Sequence, residues 1–275
     1  MRIKKIKNLL SRSPLGKTIL TWASENDIKI YMDYQCNGAR GYYTVSSKSV
    51  CLNAKKADAD LAHVLAHELR HAWQDSQNLI PTLFTSPTEI LQQIRFIEAD
   101  AYAHQMQCYW EITNNSTDYY SHVDKETQYI LARNNPTDNS DLAPNDTGKA
   151  LWILFNDWMH ERRELYDAYT IQCCAHKLGL HPQWKPLSAE FNNAIDVEYT
   201  ETLAARPKDT LGIYKVGEMF NGRNYFAHSI SPVNERESIM GCFNQKTQTL
   251  ITSINTIIEK KRQQNPSLKP FHFGS

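Results

Sequence analysis

Apolar and polar positions alternate along the first part of the chain and later repeat at helical spacing. Ser13 can cap a helix and Pro14 fits the first turn, and residues 14–23 carry apolar side chains on one side. An alternating run follows at residues 28–33, and two more short strands are predicted at residues 42–45 and 49–53. Alternation at period two is typical of half-buried strands, so this region predicts a helix followed by a small strand meander.

The next stretch has the spacing of a buried helix. Apolar positions between residues 61 and 73 surround a polar stripe that carries His67 and His71, and Asp58 or Asp60 is the expected N-cap. Further helices are predicted at residues 87–110, 122–133, 148–180, 189–203 and 235–261, with a tight turn at residues 221–226. The predicted fold class is therefore α+β and mostly α. A small N-terminal antiparallel or mixed sheet packs on the His67 helix, and a helical C-terminal half follows.

Polar stretches divide the chain into segments without separating independent domains. Residues 1–12 are predicted to be a basic lead-in, amphipathic or flexible, which lacks the long apolar region of a signal peptide. Residues 13–113 form the expected core. Residues 114–147 are rich in Asn, Asp, Ser and Thr and are predicted to be a polar insert. Residues 148–275 form a helical part that we expect to pack on the core as one domain.

Composition and charge argue against a nucleic-acid-binding protein and against a membrane-spanning one. The chain has 275 residues, of which 41% are hydrophobic and 22% charged, as is typical of globular proteins. Lys+Arg and Asp+Glu both number 30, so bulk charge does not favour nucleic-acid binding. No apolar run is long enough to predict a membrane span. Six cysteines without a C-x-x-C pair favour reduced thiols in a cytoplasmic protein.

The polar stripe contains an H-E-x-x-H motif formed by His67, Glu68 and His71. Residues four apart on a helix lie one above the other, so both imidazoles can bind one Zn²⁺ ion. Zinc lowers the pKa of a bound water toward about 7, and Glu68 can take its proton and pass it to the leaving amine. His63 lies one turn earlier, so His63 and His67 are an alternative pair, although one without the accompanying glutamate.

The third protein ligand is expected on the next helix, in the run Glu98-Ala-Asp-Ala. Glu98 and Asp100 lie about 200° apart on a helix, so only one of them can face the metal. Glu98 has the longer reach and is the predicted ligand. Asp100 would then accept a hydrogen bond from a ligand histidine or from Arg70. If Asp100 is the ligand instead, His104 shares its face, and the run can also be an acidic patch on an amphipathic helix.

These motifs resemble the gluzincin group of zinc metallopeptidases, in which a glutamate on a second helix is the third ligand. Four stretches more closely resemble a bacterial family of metallopeptidases of unknown function: Ser13-Pro-Leu-Gly, Gly38-Ala-Arg-Gly-Tyr-Tyr43, Leu52-Asn-Ala54 and Leu65-Ala-His-Glu-Leu-Arg-His-Ala-Trp-Gln74. The resemblance covers residues 13–110 and implies a zincin-like, zinc-dependent peptidase fold. The chain departs from many gluzincins at Phe96, where those proteins place the ligand glutamate four residues before the aspartate.

A zinc peptidase also needs a donor that stabilises the oxyanion formed during hydrolysis. Tyr225 and His228, at the glycine turn, are the first candidates, and the helix containing Arg162, Arg163 and Tyr166 is the second. An edge strand beside the motif helix can bind an extended peptide through main-chain hydrogen bonds.

The sequence favours a zinc metallopeptidase that hydrolyses a peptide or protein substrate. Two other functions stay open: metal-dependent hydrolysis of a non-peptide substrate, and a degenerate metallopeptidase fold that only binds a partner. An intact Glu68 argues against the binding module, because a pure scaffold has no use for that carboxylate.

Overall fold

A computed structural model describes residues 2–36, 39–80, 87–113, 147–161, 166–167 and 213–228, together with residues 252, 256 and 263. Its elements are helices α1 (Arg2–Leu10) and α2 (Pro14–Glu25), strands β1 (Lys29–Asp33), β2 (Gly41–Thr44) and β3 (Ser49–Asn53), helices α3 (Asp58–Ser76), α4 (Pro87–Ile112), α5 (Thr147–Glu161) and α6 (Ile213–Val216), and a 3-10 helix (Tyr225–His228). This order confirms an α+β protein that is mostly helical, with a small sheet near the N-terminus.

The three strands form a mixed sheet in the order β1-β3-β2. β2 and β3 are antiparallel, with Tyr43 opposite Val50, and β1 is parallel to β3, with Ile30 opposite Val50. The predicted mixed sheet is correct, but the predicted meander is wrong, because a meander would place β2 between its sequence neighbours. The short turn between β2 and β3 fixes only that pair and leaves β1 to take the other edge of β3. β2 is therefore an edge strand of this sheet.

The first hydrophobic cluster lies between the sheet and helices α1 to α3. Its fully buried side chains include Ile6 of α1, Ile19 of α2, Val50 of β3, and Leu61 and Leu65 of α3. Burial of each such aliphatic side chain stabilises the fold by roughly 1.5–3 kcal/mol. α1 covers most of the predicted lead-in and is amphipathic, since its lysines are exposed while its apolar side joins this core.

The second hydrophobic cluster joins α4 and α5 to residues 213–228. Its buried aromatic side chains are Trp73, Phe96, Tyr102, Trp110, Phe155, Trp158, Tyr225 and Phe226. α4 packs on both α3 and α5 and contributes to both clusters, with Cys108 in the first and Ala99 in the second. Residues 213–228 are thereby fixed relative to α3 and α4.

Two helix caps test the predicted boundaries. Ser13 caps α2 as predicted, because its Oγ accepts a hydrogen bond at 2.8 Å from the backbone of the first turn. The predicted cap of α3 is wrong: Ala57 holds the N-cap position without a side-chain bond, and Asp58 is the first helical residue. The Asp58 carboxylate instead binds Arg2 at 2.6 Å and Lys5 at 3.0 Å, so a tertiary contact with α1 takes the place of the cap.

Several predicted elements lie wholly or largely outside the described residues: the polar insert at 114–147 apart from Thr147, the helices at 122–133 and 189–203, the helix at 235–261 apart from residues 252 and 256, and most of the predicted helix after Glu161. The turn predicted at 221–226 is present. Gly222 has a φ of 76°, which favours glycine, and its N–H donates to the Met219 carbonyl at 3.0 Å. Among the helices described, none has the length and apolar character needed to span a membrane.

Candidate metal centre

The side chains of His67, His71 and Glu98 meet between α3 and α4. His67 and His71 lie one turn apart on α3, and their Nε2 atoms are 3.0 Å from each other. Glu98 extends from α4, and its Oε2 lies 3.6 Å from Nε2 of His67 while its Oε1 lies 3.6 Å from Nε2 of His71. Two imidazole nitrogens and a carboxylate therefore converge within 4.8 Å of one another.

The three donor groups fit a zinc ion. Ligand atoms about 2.0–2.2 Å from Zn²⁺ in a tetrahedral arrangement lie roughly 3.3–3.6 Å from each other. The observed separations of 3.0 Å and 3.6 Å lie close to that range. Two histidines and one glutamate also form a catalytic zinc donor set, which keeps a fourth position for water or substrate.

Gln74 fixes the orientation of His71. Nδ1 of His71 lies 2.8 Å from Oε1 of Gln74, and an amide oxygen can only accept, so Nδ1 carries the proton. The lone pair of His71 is then on Nε2, which faces the other two ligand candidates. The Gln74 amide is itself oriented, because its Nε2 donates to the Ile97 carbonyl at 2.9 Å and to Asp100 at 2.7 Å.

This role of Gln74 was not predicted from the sequence. Its position three residues after His71 places the two side chains on the same helix face, and that spacing is the signal that could have identified it.

Asp100 occupies the centre of a buried polar network. Its side chain is fully buried and accepts hydrogen bonds from Arg70 Nε at 2.6 Å and from the Tyr225 hydroxyl at 2.9 Å. His104 Nδ1 lies 3.2 Å from the same carboxylate. Burial alone would raise the pKa of Asp100, but Arg70 and His104 hold it at about 2. The contact with Arg70 is the one expected of Asp100 if Glu98 is the ligand.

Arg70 connects this network to the C-terminal segment. It is fully buried, and besides Asp100 its Nη2 donates to the Val216 carbonyl at 2.9 Å and the Glu218 carbonyl at 2.6 Å. Its guanidinium carbon lies 3.7 Å from the centre of the Trp73 ring. Because a buried arginine is costly without its carboxylate, Arg70 and Asp100 depend on each other and hold α3, α4 and residues 213–228 together.

Glu68 lies beside the ligand candidates in a different environment from Glu98. It is 7% exposed, and the Tyr43 backbone donates a hydrogen bond to it. Burial raises the pKa of Glu68 to about 7, with the charge of Glu98 raising it further and that of His71 opposing. Burial also raises the pKa of Glu98, but His71 and His67 more than offset this, so its pKa is lowered. One carboxylate is thus held ionised, and the other can exchange a proton near neutral pH.

β2 approaches α3 at Glu68 because Gly41 has no side chain. A Cβ at Gly41 would lie 3.0 Å from Val64 Cγ1 and 3.2 Å from the Glu68 Cγ. β2 pairs with β3 on one side, and its other edge is not paired to any described strand. That edge is where the Tyr43 backbone reaches Glu68.

The two first candidates for an oxyanion donor lie at the 3-10 helix. The Tyr225 side chain is fully buried, and its hydroxyl is bonded to Asp100. His228 ends the 3-10 helix, and its side chain lies outside the described part of the chain. Their role in stabilising an oxyanion stays a prediction.

The remaining candidates occupy other surroundings. His63 is buried, and its Nδ1 accepts a hydrogen bond from Gln105 at 2.9 Å. In the second oxyanion candidate, Tyr166 packs against Trp158, with ring centres 5.0 Å apart. Residues 162–165, which include the two arginines, lie outside the described residues.

Residues 1–210 match the family described as "Putative metallopeptidase family (DUF6782)". The match spans α1 to α5 and therefore includes both histidines of the motif and Glu98. Comparisons with curated proteins and with solved structures give no match.

Proposed function

Because the chain belongs to the putative metallopeptidase family, we propose that it is a zinc-dependent peptidase with a zincin-like core. His67, His71 and Glu98 bind the ion, and Glu68 is the general base. Family membership supports a hydrolase that uses a metal ion, and the donor set of two imidazoles and a carboxylate supports zinc as that metal.

The observation that carries this proposal is the convergence of the three donor groups. Two of them come from one helix turn of α3, but Glu98, which is 27 residues after His71 in the chain, comes from α4. Packing of α4 on α3 does not by itself require that a carboxylate lie 3.6 Å from both imidazoles. Asp100 is hydrogen-bonded to Arg70, so of the two carboxylates Glu98 and Asp100 it is Glu98 that faces the histidines.

Glu68 is placed for the proton transfers of peptide hydrolysis. A zinc ion bound here would lower the pKa of a coordinated water toward about 7. Glu68 would take a proton from the attacking water and deliver it to the amine that leaves when the peptide bond breaks. Its buried carboxylate is suited to both steps, because it lies beside the ligand candidates and next to the edge of β2 that is not paired to any described strand.

The edge of β2 supports a peptide as the substrate. An extended peptide can add to an unpaired strand edge through main-chain hydrogen bonds, which do not depend on the peptide's sequence. In this protein that edge runs beside Glu68, with Gly41 keeping the distance short. A peptide bound there would place its backbone next to the general base.

Hydrolysis of a mixed peptide library tests this function. The full-length chain should generate new peptide N-termini, detected by mass spectrometry, should lose this activity when a chelator removes its metal, and should recover it when Zn²⁺ is returned. Zinc-loaded protein that leaves every peptide intact would contradict a peptidase. Cleavage of non-peptide esters or amides by the same sample would then favour the alternative hydrolase.

Two histidine variants on α3 separate the ligand pair from its alternative. His71→Ala should lose bound zinc and activity. His63→Ala removes a buried histidine from the same helix, two turns away, and should keep zinc bound to the folded protein. Full zinc content in His71→Ala together with its loss in His63→Ala would assign the metal to His63 and His67.

A further inference from the structure

The outer face of the sheet carries a second group of metal-binding side chains. Val50 and Leu52 of β3 pack into the first hydrophobic cluster with α3, so Cys51 between them points to the opposite face. Cys51 lies opposite Tyr31 of β1, and Asp33 is two residues farther along that strand on the same face. The strand register therefore brings Asp33 toward Cys51.

Cys36 completes this group from the segment that follows β1. One carboxylate oxygen of Asp33 and the Sγ atoms of Cys36 and Cys51 all lie within 4.8 Å of one another. Cys51 is fully buried and Cys36 is 7% exposed, whereas Asp33 is half-buried. Both cysteines are free thiols. Two sulfurs and one carboxylate oxygen thus face a common point that solvent reaches from the Asp33 side.

Neighbouring hydrogen bonds orient these groups. The Gln35 N–H donates to Asp33 Oδ1 at 2.8 Å, which leaves Oδ2 to face the thiols, and Cys36 Sγ lies 3.8 Å from Oδ2. The Tyr42 hydroxyl donates to the same oxygen at 3.4 Å. Asn53, which is buried, donates to the Cys36 carbonyl at 3.4 Å and so holds this segment against the end of β3. Supports of this kind are what metal ligands require, because they fix a ligand's direction.

We propose that Asp33, Cys36 and Cys51 form a second metal site, which binds a divalent thiophilic cation of the zinc class. Two thiolates select a soft or borderline cation, and the carboxylate makes Zn²⁺ a better match than Cu⁺. The site is separate from the peptidase centre, since it lies on the opposite face of the sheet from α3. Its ion links the segment after β1 to β3, next to the start of the edge strand β2.

Cobalt spectroscopy distinguishes this site from the histidine site. Co²⁺ bound by thiolates has a charge-transfer absorption in the near ultraviolet, which His67, His71 and Glu98 cannot produce. Metal-free full-length protein, kept reduced with a phosphine, should bind two equivalents of Co²⁺ and show the thiolate band. His71→Ala should lose one equivalent and keep the band, so failure of the peptidase proposal would not affect this result.

Cysteine variants show which thiols produce the thiolate band. Cys36→Ala and Cys51→Ala should each lose one equivalent and the thiolate band, whereas Cys108→Ala, which removes a buried thiol from α4, should keep both. Asp33→Asn should retain the band but bind Co²⁺ at least about tenfold more weakly. Cys51 is buried in the central strand of the sheet. If its variant does not fold, Cys36→Ala and Asp33→Asn test the site. A wild-type protein without the band, or a band that persists in Cys36→Ala, would overturn the proposal.

Discussion

His71 donates its Nδ1 proton to Gln74 at 2.8 Å, and this single bond directs the Nε2 lone pair of His71 toward His67 and Glu98. Gln74→Leu removes the acceptor while keeping a buried side chain of similar size. Loss of such a supporting group commonly weakens metal binding about 10- to 100-fold. We expect that decrease in zinc affinity, measured by competition with a chromophoric chelator.

Gln107→Leu is the matched control for this prediction. Gln107 is also a buried glutamine, but it lies on α4 and donates to Glu111 at 2.8 Å. It should change stability without changing zinc affinity. Equal affinities in the two leucine variants would show that Gln74 does not position His71.

Glu98 and Asp100 should respond differently to loss of their charges. Glu98→Gln removes a ligand and should lose zinc while the fold is retained. Asp100→Asn should keep zinc in its folded fraction but leave Arg70 buried without a carboxylate, which typically costs about 3–5 kcal/mol. Zinc content and urea unfolding, measured on both proteins, give the comparison. The reverse pattern would make Asp100 the ligand.

The motif histidines could be predicted because their contact is local. Their four-residue spacing determines that they share a helix face, whatever the rest of the chain does. The choice between Glu98 and Asp100 depends on how α4 is rotated against α3, and sequence spacing gives only the angle between the two carboxylates. The contact of Arg70 with Asp100 and with the carbonyls of residues 216 and 218 fixes that rotation.

The errors in the fold prediction also arise from contacts between residues that are far apart in the chain. Asp58 matches the composition of an N-cap, but its carboxylate is taken by Arg2, which is 56 residues away in the chain. The strand order depends on the pairing of β1 with β3, although β2 lies between them in the sequence. Such non-local pairing leaves no pattern within any one strand.

Tyr225→Phe tests whether this tyrosine acts on the substrate or through Asp100. Its hydroxyl donates to Asp100 at 2.9 Å inside a fully buried network, so its removal should lower the free energy of unfolding by about 1 kcal/mol. We expect kcat to change only a few-fold. A kcat that falls about 100- to 1000-fold without loss of stability would instead identify Tyr225 as the oxyanion donor.

Asp58 should make stability depend on pH in the acidic range. Hydrogen bonds from Arg2 and Lys5 lower the pKa of Asp58 below its ordinary value of 3.8. A carboxylate with a lowered folded-state pKa stabilises the protein above the unfolded-state pKa, and this contribution disappears as the pH falls through the folded-state value. Asp58→Asn should therefore have a lower Tm than the wild type at neutral pH, and the difference should close in acid.

Asp60→Asn provides the comparison for Asp58. Asp60 is an exposed residue in the same first turn of α3, so both variants lose a favourable charge at the helix N-terminus. The decrease in Tm should be larger for Asp58→Asn, because only Asp58 bonds to α1 in this structure. A Tm difference between Asp58→Asn and wild type that does not vary with pH would refute the assignment.

Turnover and zinc content of Glu68→Gln test the proposed mechanism most directly. The substitution keeps the size of the side chain and an oxygen that can accept the Tyr43 hydrogen bond, but it removes the group that takes the proton. We predict zinc content equal to that of the wild type and peptide hydrolysis slower by about 100- to 10,000-fold. Zinc-loaded Glu68→Gln that hydrolyses peptides at the wild-type rate would contradict the mechanism.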